Sequence, residues 1–541
     1  MMSKISKLAE DTSQPSENYR LTLQISGANF RLGTFARIFH RTNFTRKNWI
    51  LLAATEAIEG NPNPQFKSEV LLNYVFSEQQ ELRVEIMGTD YEFFGYVESR
   101  VANLLNAPNQ ALALPLRRGT SETKTDSFVF IKCDNFLENS DEIRLTFGAN
   151  FLKSFVFKPK TYISLWKLDD DEQKYVSLRQ SVPFEGSVPI WEAVQVRIKE
   201  VYKKEAVVPL RVLVHSVPKI GQETIMGHAQ LTYQEIMRDD IKTYPIVKSS
   251  GNEGKNHDAK QIGTLFLQQR EIVRHNQFVD YVFEGLDILS ALAVDFSQVD
   301  FSDPSGQGGR GDGYTRLVEQ SFSCMVDVLA PYNLSKTVSC FGFGAKDLTD
   351  EKSKTGAECF LLKGNFEHNN FTGSEELKQA YRETLLKQHY KTEPGQTITS
   401  VIKAIINIFR KDLFMLSNLR YYTITLIIEE VNGDIQELVN YVVPLSHSMA
   451  ITIFIVGVGN ASFKALECFN IYSKREFLKD SKGDILNIST INFVKFETLE
   501  NNGAVLAKEL LKVIPSRVVG YMKRGKERPI MKATNSNSKK T

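Results

Sequence analysis

The sequence predicts a multidomain chain: two tandem all-β sandwiches followed by a doubly wound α/β domain. Short apolar runs of alternating pattern, broken by turn residues, fill residues 18–272. That pattern occurs twice. After His275 it gives way to near-continuous apolar runs alternating with stretches of helical spacing. A chain of 541 residues holds about three or four domains of ordinary size.

The first half is read strand by strand. Leu21–Ile25, Glu81–Ile86 and Asp126–Lys132 each place apolar residues at every second position, the mark of a strand with one face in a core. Glu98–Asn106 allows one short helical turn. In the first copy Pro64-Gln-Phe66 precedes Val70–Phe76 and then Glu81–Ile86. In the second, Pro189-Ile-Trp191 precedes Val194–Ile198 and then Pro209–His215. Proline turns the chain, and the ring two residues on can plug the end of a sandwich. The copies are placed at 18–138 and 141–272.

In the second half, Ile288–Asp295 is an apolar run ending in a carboxylate, as a buried parallel strand would be. Leu317–Leu329, Glu375–His389, Thr399–Phe414 and Leu506–Ile514 have helical spacing. Thr337–Gly344, Tyr422–Ile428 and Ala450–Gly457 read as further strands. The α/β domain is placed at 278–522, and any ligand site is expected at the carboxyl ends of its strands.

Composition excludes several classes of function. With 66 basic and 64 acidic residues there is no dominant basic field, so no nucleic-acid partner is expected. Five scattered cysteines without a CxxC pair indicate reduced thiols in the cytoplasm. The opening residues lack the apolar run of a secretory signal, position 2 is Met, and no apolar stretch is long enough to span a bilayer. Membrane contact is therefore expected to be peripheral. Residues 1–17 read as a tail. Residues 523–541, with seven Lys/Arg against Glu527, read as a basic tail able to meet anionic lipid or an acidic partner. No GxSxG, HExxH or phosphate-loop signature occurs, so neither an enzyme nor a small-molecule substrate is expected. Arg310-Gly-Asp312 reads as an incidental tripeptide in a glycine-rich loop.

The Pro-x-aromatic segments resemble the hallmark of C2 domains, and Gly227–Ile236 resembles the strand and turn after their third loop. In the second half, Phe278–Ser297, Cys340-Phe-Gly-Phe-Gly-Ala-Lys346, Phe454-Ile-Val-Gly-Val-Gly-Asn-Ala-Ser-Phe463 and Leu506–Pro515 follow one another as do the signature blocks of copines. The chain thus resembles the copine family, two C2 domains and a von Willebrand factor A-type domain, in diverged form.

That resemblance implies metal sites, and the residues depart from them. C2 domains hold Ca²⁺ with several loop carboxylates, because a hard ion takes six to eight oxygens. Here the first loop of the first copy, Ser26–Gly33, has none, and Met87–Gly95 offers only Asp90 and Glu92 as a remnant. The second copy carries Lys153 and Lys219 in the corresponding loops, and a cation there repels Ca²⁺. Ca²⁺ at the C2 domains is therefore doubtful. Tyr91, Phe93, Phe94, Lys153 and Lys219 are instead candidates for contact with an acidic phospholipid surface. A-type domains hold Mg²⁺ or Mn²⁺ on an Asp-x-Ser-x-Ser motif plus a Thr and an Asp. The counterparts here are Asp295, Ser297, Thr397 and Glu430, with Val299 in the third hydroxyl slot and Asp300 and Ser302 repeating the motif nearby.

The functional expectation is a copine-like peripheral phospholipid-binding adaptor with weakened or absent Ca²⁺ dependence, its A-type domain binding a protein partner. The alternative is a structural, non-enzymatic component of a cytoskeletal or other large assembly, with vestigial metal sites. The expected location is cytoplasmic, peripheral at the plasma membrane or on such an assembly.

Overall fold

Alternation decides the first half. In the strand Asn18–Ala28, Tyr19, Leu21, Leu23 and Ile25 are buried, while Asn18, Arg20 and Gln24 face out. The computed structural model describes residues 18–525 except 31–32, 44–47, 119–123, 136–140, 152–159, 170–173, 203–206, 219, 241–242, 249–259, 274, 304, 306–307, 349–357, 364–368, 394, 412–418, 432, 472–477 and 487–489.

Within these residues both β regions have the same topology. The first is built from Asn18–Ala28, Thr34–Thr42, Ile50–Ala54, Val70–Val75, Gln80–Gly88, Phe93–Arg100, Ala111–Arg117 and Lys124–Asn135. The second is built from Glu142–Phe151, Lys160–Leu168, Tyr175–Gln180, Val194–Arg197, Pro209–Val217, Thr224–Thr232, Thr243–Val247 and Gln261–Val273, with Phe184–Glu185 added beside Lys160–Leu168. Counting the eight longer strands of each in chain order, hydrogen bonds link them three-two-five-six-seven-eight-one-four in both. The link between six and seven is a single residue pair in each, Tyr96 with Arg117 and His228 with Val247. At that corner each path turns from one four-stranded layer to the other, which makes a sandwich.

The Pro-x-aromatic segment does the same job twice. Gly27 N–H donates to Pro64 O (2.9 Å) and Phe66 N–H to Ile25 O (3.2 Å). Ala149 N–H donates to Pro189 O (3.0 Å) and Trp191 N–H to Phe147 O (3.0 Å). The loop is stitched to the first strand at positions two apart, and Phe66 and Trp191 sink into the core. The indole N–H of Trp191 finds Thr161 O at 3.1 Å, so its polar edge is satisfied.

The α/β region has five parallel strands: Asp287–Asp295, Val338–Phe343, Arg420–Ile428, Ile451–Gly457 and Ile491–Lys495. Their order is second-first-third-fourth-fifth, with two short antiparallel pieces, Phe360–Leu361 and Asn370–Phe371, on the second strand's outer edge. Both faces are covered. Leu292 and Val294 join a core with Phe322 of helix Asp312–Leu329 and Leu506 of helix Gly503–Leu511. Ala291 and Ala293 join another with Ile402 of helix Ile398–Lys411 and Val442 of helix Ile435–Ser448. This is a doubly wound sheet whose order reverses between its first and third strands, so a crevice opens beyond their carboxyl ends.

Residues up to Asn135 and from Phe278 onward form one compact unit, and Phe136–Gln277 another. Within the first unit the sandwich and the α/β sheet share a core. Phe76 packs on Phe278 and Tyr332 at ring distances of 4.8 Å each. The hydroxyls of Tyr74 and Tyr332 are hydrogen-bonded, both fully buried. Asn135 Nδ2 donates to Asp280 Oδ1 (2.8 Å), and Lys508 pairs with Glu78 (2.8 Å).

Candidate functional site

The crevice of the α/β region is built around Asp295, the last residue of the first parallel strand and only 2% exposed. One carboxylate oxygen accepts the Ser297 N–H (2.8 Å) and the other the Glu429 N–H (3.1 Å). The chain after the first strand is thereby tied to the chain after the third. Gly344 lies against this turn, where a Cβ would meet Ser297 N at 2.5 Å and Asp295 Oδ1 at 2.8 Å; its φ of +78° also favours glycine. Ser297 Oγ is buried and forms no hydrogen bond of ordinary geometry among the described residues.

The fourth group is a cation. Arg310 pairs with Glu429 through Nη1, and the two side chains are 16% and 4% exposed. Its Nε donates to Gln298 O (2.9 Å), and its guanidinium lies 5.0 Å from the centre of the Tyr314 ring. Burial raises the pKa of Asp295, opposed by its bonds from Ser297 and Glu429. Burial also raises that of Glu429, opposed by Arg310.

The sequence-derived residues fall as follows. Asp295 and Ser297 stand together at the crevice. Thr397 Oγ1 accepts the Ser400 N–H (3.1 Å), at the start of the helix Ile398–Lys411. Val299 is buried in the apolar core at 3% exposure. Glu430 is half-buried, and its charge acts on Asp295. Asp300 binds Ser302 N–H and Oγ–H (2.9 and 2.6 Å) within its own exposed turn. Among the described residues no three His, Cys, Asp or Glu side chains are placed to hold a metal ion.

Two residues that matter here were not singled out by sequence. Glu429, not only its neighbour Glu430, reaches the crevice; the available signal was its place as the first residue after a buried parallel strand. Arg310 was hidden in an incidental RGD tripeptide. A lone arginine between glycines, opposite a surplus of carboxylates, was the signal.

Mg²⁺ or Mn²⁺ demands near-octahedral oxygen donors at close range. Here one hydroxyl slot is a buried valine, the Thr397 hydroxyl caps a helix, and one carboxylate already holds a guanidinium. The residues present do not fit that ion.

The tip of the first sandwich is open instead. Thr89 N–H donates to Gly33 O (3.0 Å), joining the two loops. Asp90 Oδ1 accepts Glu92 N–H (3.1 Å), so this carboxylate closes its own turn. Beside it, Asn29 is engaged with its neighbours: its N–H donates to Asn63 Oδ1 (3.1 Å) and its Nδ2 to Asp126 O (2.9 Å). Phe30 folds into the sandwich end, and Phe94 is half-buried against the core. Tyr91 and Phe93 project, 78% and 43% exposed. Lys153 and Lys219 lie outside the described residues, as do residues 1–17 and 526–541 of the two tails.

Comparison with known proteins gives the family context. Residues 315–530 match the family model described as Copine. Copine-E of Dictyostelium discoideum is 24% identical over 494 residues, spanning 89% of this chain and 82% of that relative. Nicotinic receptor-associated protein 1 of Caenorhabditis elegans is 25% identical over 584 residues, spanning 95% and 89%. Among solved structures, the paired C2 domains of Extended-Synaptotagmin 2 align with 48% of this chain and 93% of theirs, at 14% identity and a TM-score of 0.20. The likeness to copines implied by the motifs thus extends along most of the chain, with residues 315–530 matching the family model.

Proposed function

We propose that this chain is a peripheral, non-enzymatic adaptor. Its C2-like sandwiches seat on acidic phospholipid with weakened or absent Ca²⁺ dependence. Its α/β region, of von Willebrand factor A type, binds a protein partner. One observation carries the reading: at the first sandwich's tip, two exposed aromatics stand where carboxylates are sparse. Tyr91 and Phe93 are amphipathic and apolar rings suited to a headgroup boundary. The Asp90 carboxylate is engaged with the backbone N–H of Glu92, which leaves less for a calcium ion. No described helix is long and apolar enough to cross a bilayer, so contact through a surface is the mode this reading needs. That one relative is named for association with a receptor supports binding as the task.

Co-sedimentation with phosphatidylserine vesicles tests this. The full chain should pellet in excess chelator nearly as well as in calcium, and Tyr91→Ser with Phe93→Ser should weaken binding about a hundredfold or more, since each buried ring is worth about 1.5–3 kcal/mol. Failure to pellet in either condition overturns the proposal.

A further inference from the structure

We propose that Arg310 is the resident cation of the α/β crevice, taking the place a divalent metal would fill, so that Asp295 and Glu429 bind no metal while it is there. The loop is shaped to deliver it. Gly309 and Gly311, on either side of Arg310, have φ of +75° and +82°, a conformation side chains with a Cβ rarely adopt. Gly309 N–H is held by Asp303 Oδ2 (2.8 Å), and a Cβ at Gly309 would sit 3.1 Å from that of Asp300. The backbone is thereby turned so that the arginine points back under the loop.

The guanidinium then meets a partner on several sides: the Glu429 carboxylate, Gln298 O at 2.9 Å and the Tyr314 ring. A planar fork of donors matches a carboxylate and a carbonyl where a spherical ion would need an octahedron of oxygens. Charge points the same way. Two buried acids and no cation would be unstable in so dry a place, and the arginine relieves the one it pairs with, Glu429. A metal added beside the guanidinium would face direct repulsion. The consequence is a crevice of permanent charge, unaffected by chelators or by swings in divalent ion concentration.

Manganese is the probe, measured on the full chain by electron paramagnetic resonance of free ion and by thermal unfolding. Wild type and Asp295→Asn should take up the same amount of Mn²⁺, any uptake belonging elsewhere. In Arg310→Ala the vacated place should admit the ion: millimolar Mn²⁺ should raise Tm by ~2 °C or more, and Asp295→Asn in that background should abolish the rise. Uptake by wild type that disappears in Asp295→Asn overturns the proposal. So does an Arg310→Ala protein no more responsive to Mn²⁺ than wild type. If Arg310→Ala does not fold, the wild-type comparison still decides, together with Arg310→Lys, which keeps a cation and should remain unresponsive; Mn²⁺ uptake in Arg310→Lys that Asp295→Asn removes counts against the proposal.

Discussion

The tip of the first sandwich and the crevice of the α/β sheet both depart from the metal-binding pattern of the families they resemble, but the surroundings handle the departure differently. At the tip, Asp90 and Glu92 lie in water and Asn29 forms amide contacts with its neighbours. Solvent screens the exposed carboxylate of Asp90. At the crevice, Asp295 and Glu429 are 2% and 6% exposed, and an uncompensated acid there would be costly. A cation of the chain itself, Arg310, pairs with Glu429. Depth, more than the identity of the missing ligand, decides whether a replacement is required.

The sharpest way to break this contrast is at Arg310. Arg310→Met leaves Glu429 buried without its partner, and loss of one member of a buried pair costs about 3–5 kcal/mol. Urea unfolding of the full chain should show that loss in the transition of the α/β region. Arg310→Met with Glu429→Gln should recover more than half of it, since no bare charge is then left behind. Equal losses in the single and double variants would mean that the arginine acts through packing of its stem and not through charge.

A second variant tests whether the tip and the crevice belong to one cooperative body. Tyr74→Phe, in the first sandwich, leaves the fully buried Tyr332 hydroxyl of the α/β region without its bond, a cost of about 1–3 kcal/mol. Both regions should unfold earlier and together, as followed by hydrogen exchange in the strands Asn18–Ala28 and Asp287–Asp295. Earlier exchange confined to the sandwich would show that the shared core does not couple them.

What was legible in the sequence follows from the same physics. Period-2 runs and buried apolar runs are forced by burial, so both sandwiches and the central strands could be read directly, down to Asp295 at a strand end. Phe66 and Trp191 were legible because a ring after a proline has one good place to go. The helix Ile435–Ser448 was not read: Pro444 lies inside it and masks its pattern. The Tyr74–Tyr332 bond joins residues far apart in the chain, and no local pattern announces it. Arg310 was missed for a related reason. Its role depends on which side of a glycine loop it emerges, a fact set by backbone dihedrals that the residue names leave open.

A smaller effect is expected at Glu56, which braces the loop leading to Phe66. Although partial burial opposes it, bonds from Ser68 Oγ–H and from the N–H groups of Lys67 and Ser68 hold its pKa down to about 2, against an ordinary 4.5. Folding therefore favours the charged form. The stabilisation is complete above the ordinary value and fades as pH falls from about 4.5 towards 2. Glu56→Gln should cost about 1 kcal/mol at pH 7 and nearly nothing at pH 2, so stability–pH curves of the two proteins should converge in acid. Curves that stay parallel would show that the loop does not depend on the charge.

The smallest effect belongs to the tip, and it is the one that defines the comparison. Asp90 is exposed, and its Oδ1 accepts the N–H of Glu92, two residues on. An asparagine oxygen can accept that same hydrogen, and water screens the charge that is lost. Asp90→Asn should therefore leave unfolding free energy unchanged within about 0.5 kcal/mol, the ordinary range for surface substitutions. It should also leave vesicle binding in chelator intact, because the rings of Tyr91 and Phe93 and not the carboxylate carry the contact. Binding that weakens only in calcium would instead assign Asp90 a ligand's role and restore a working ion site to the tip, where its charge would be held for an ion and not merely tolerated by solvent.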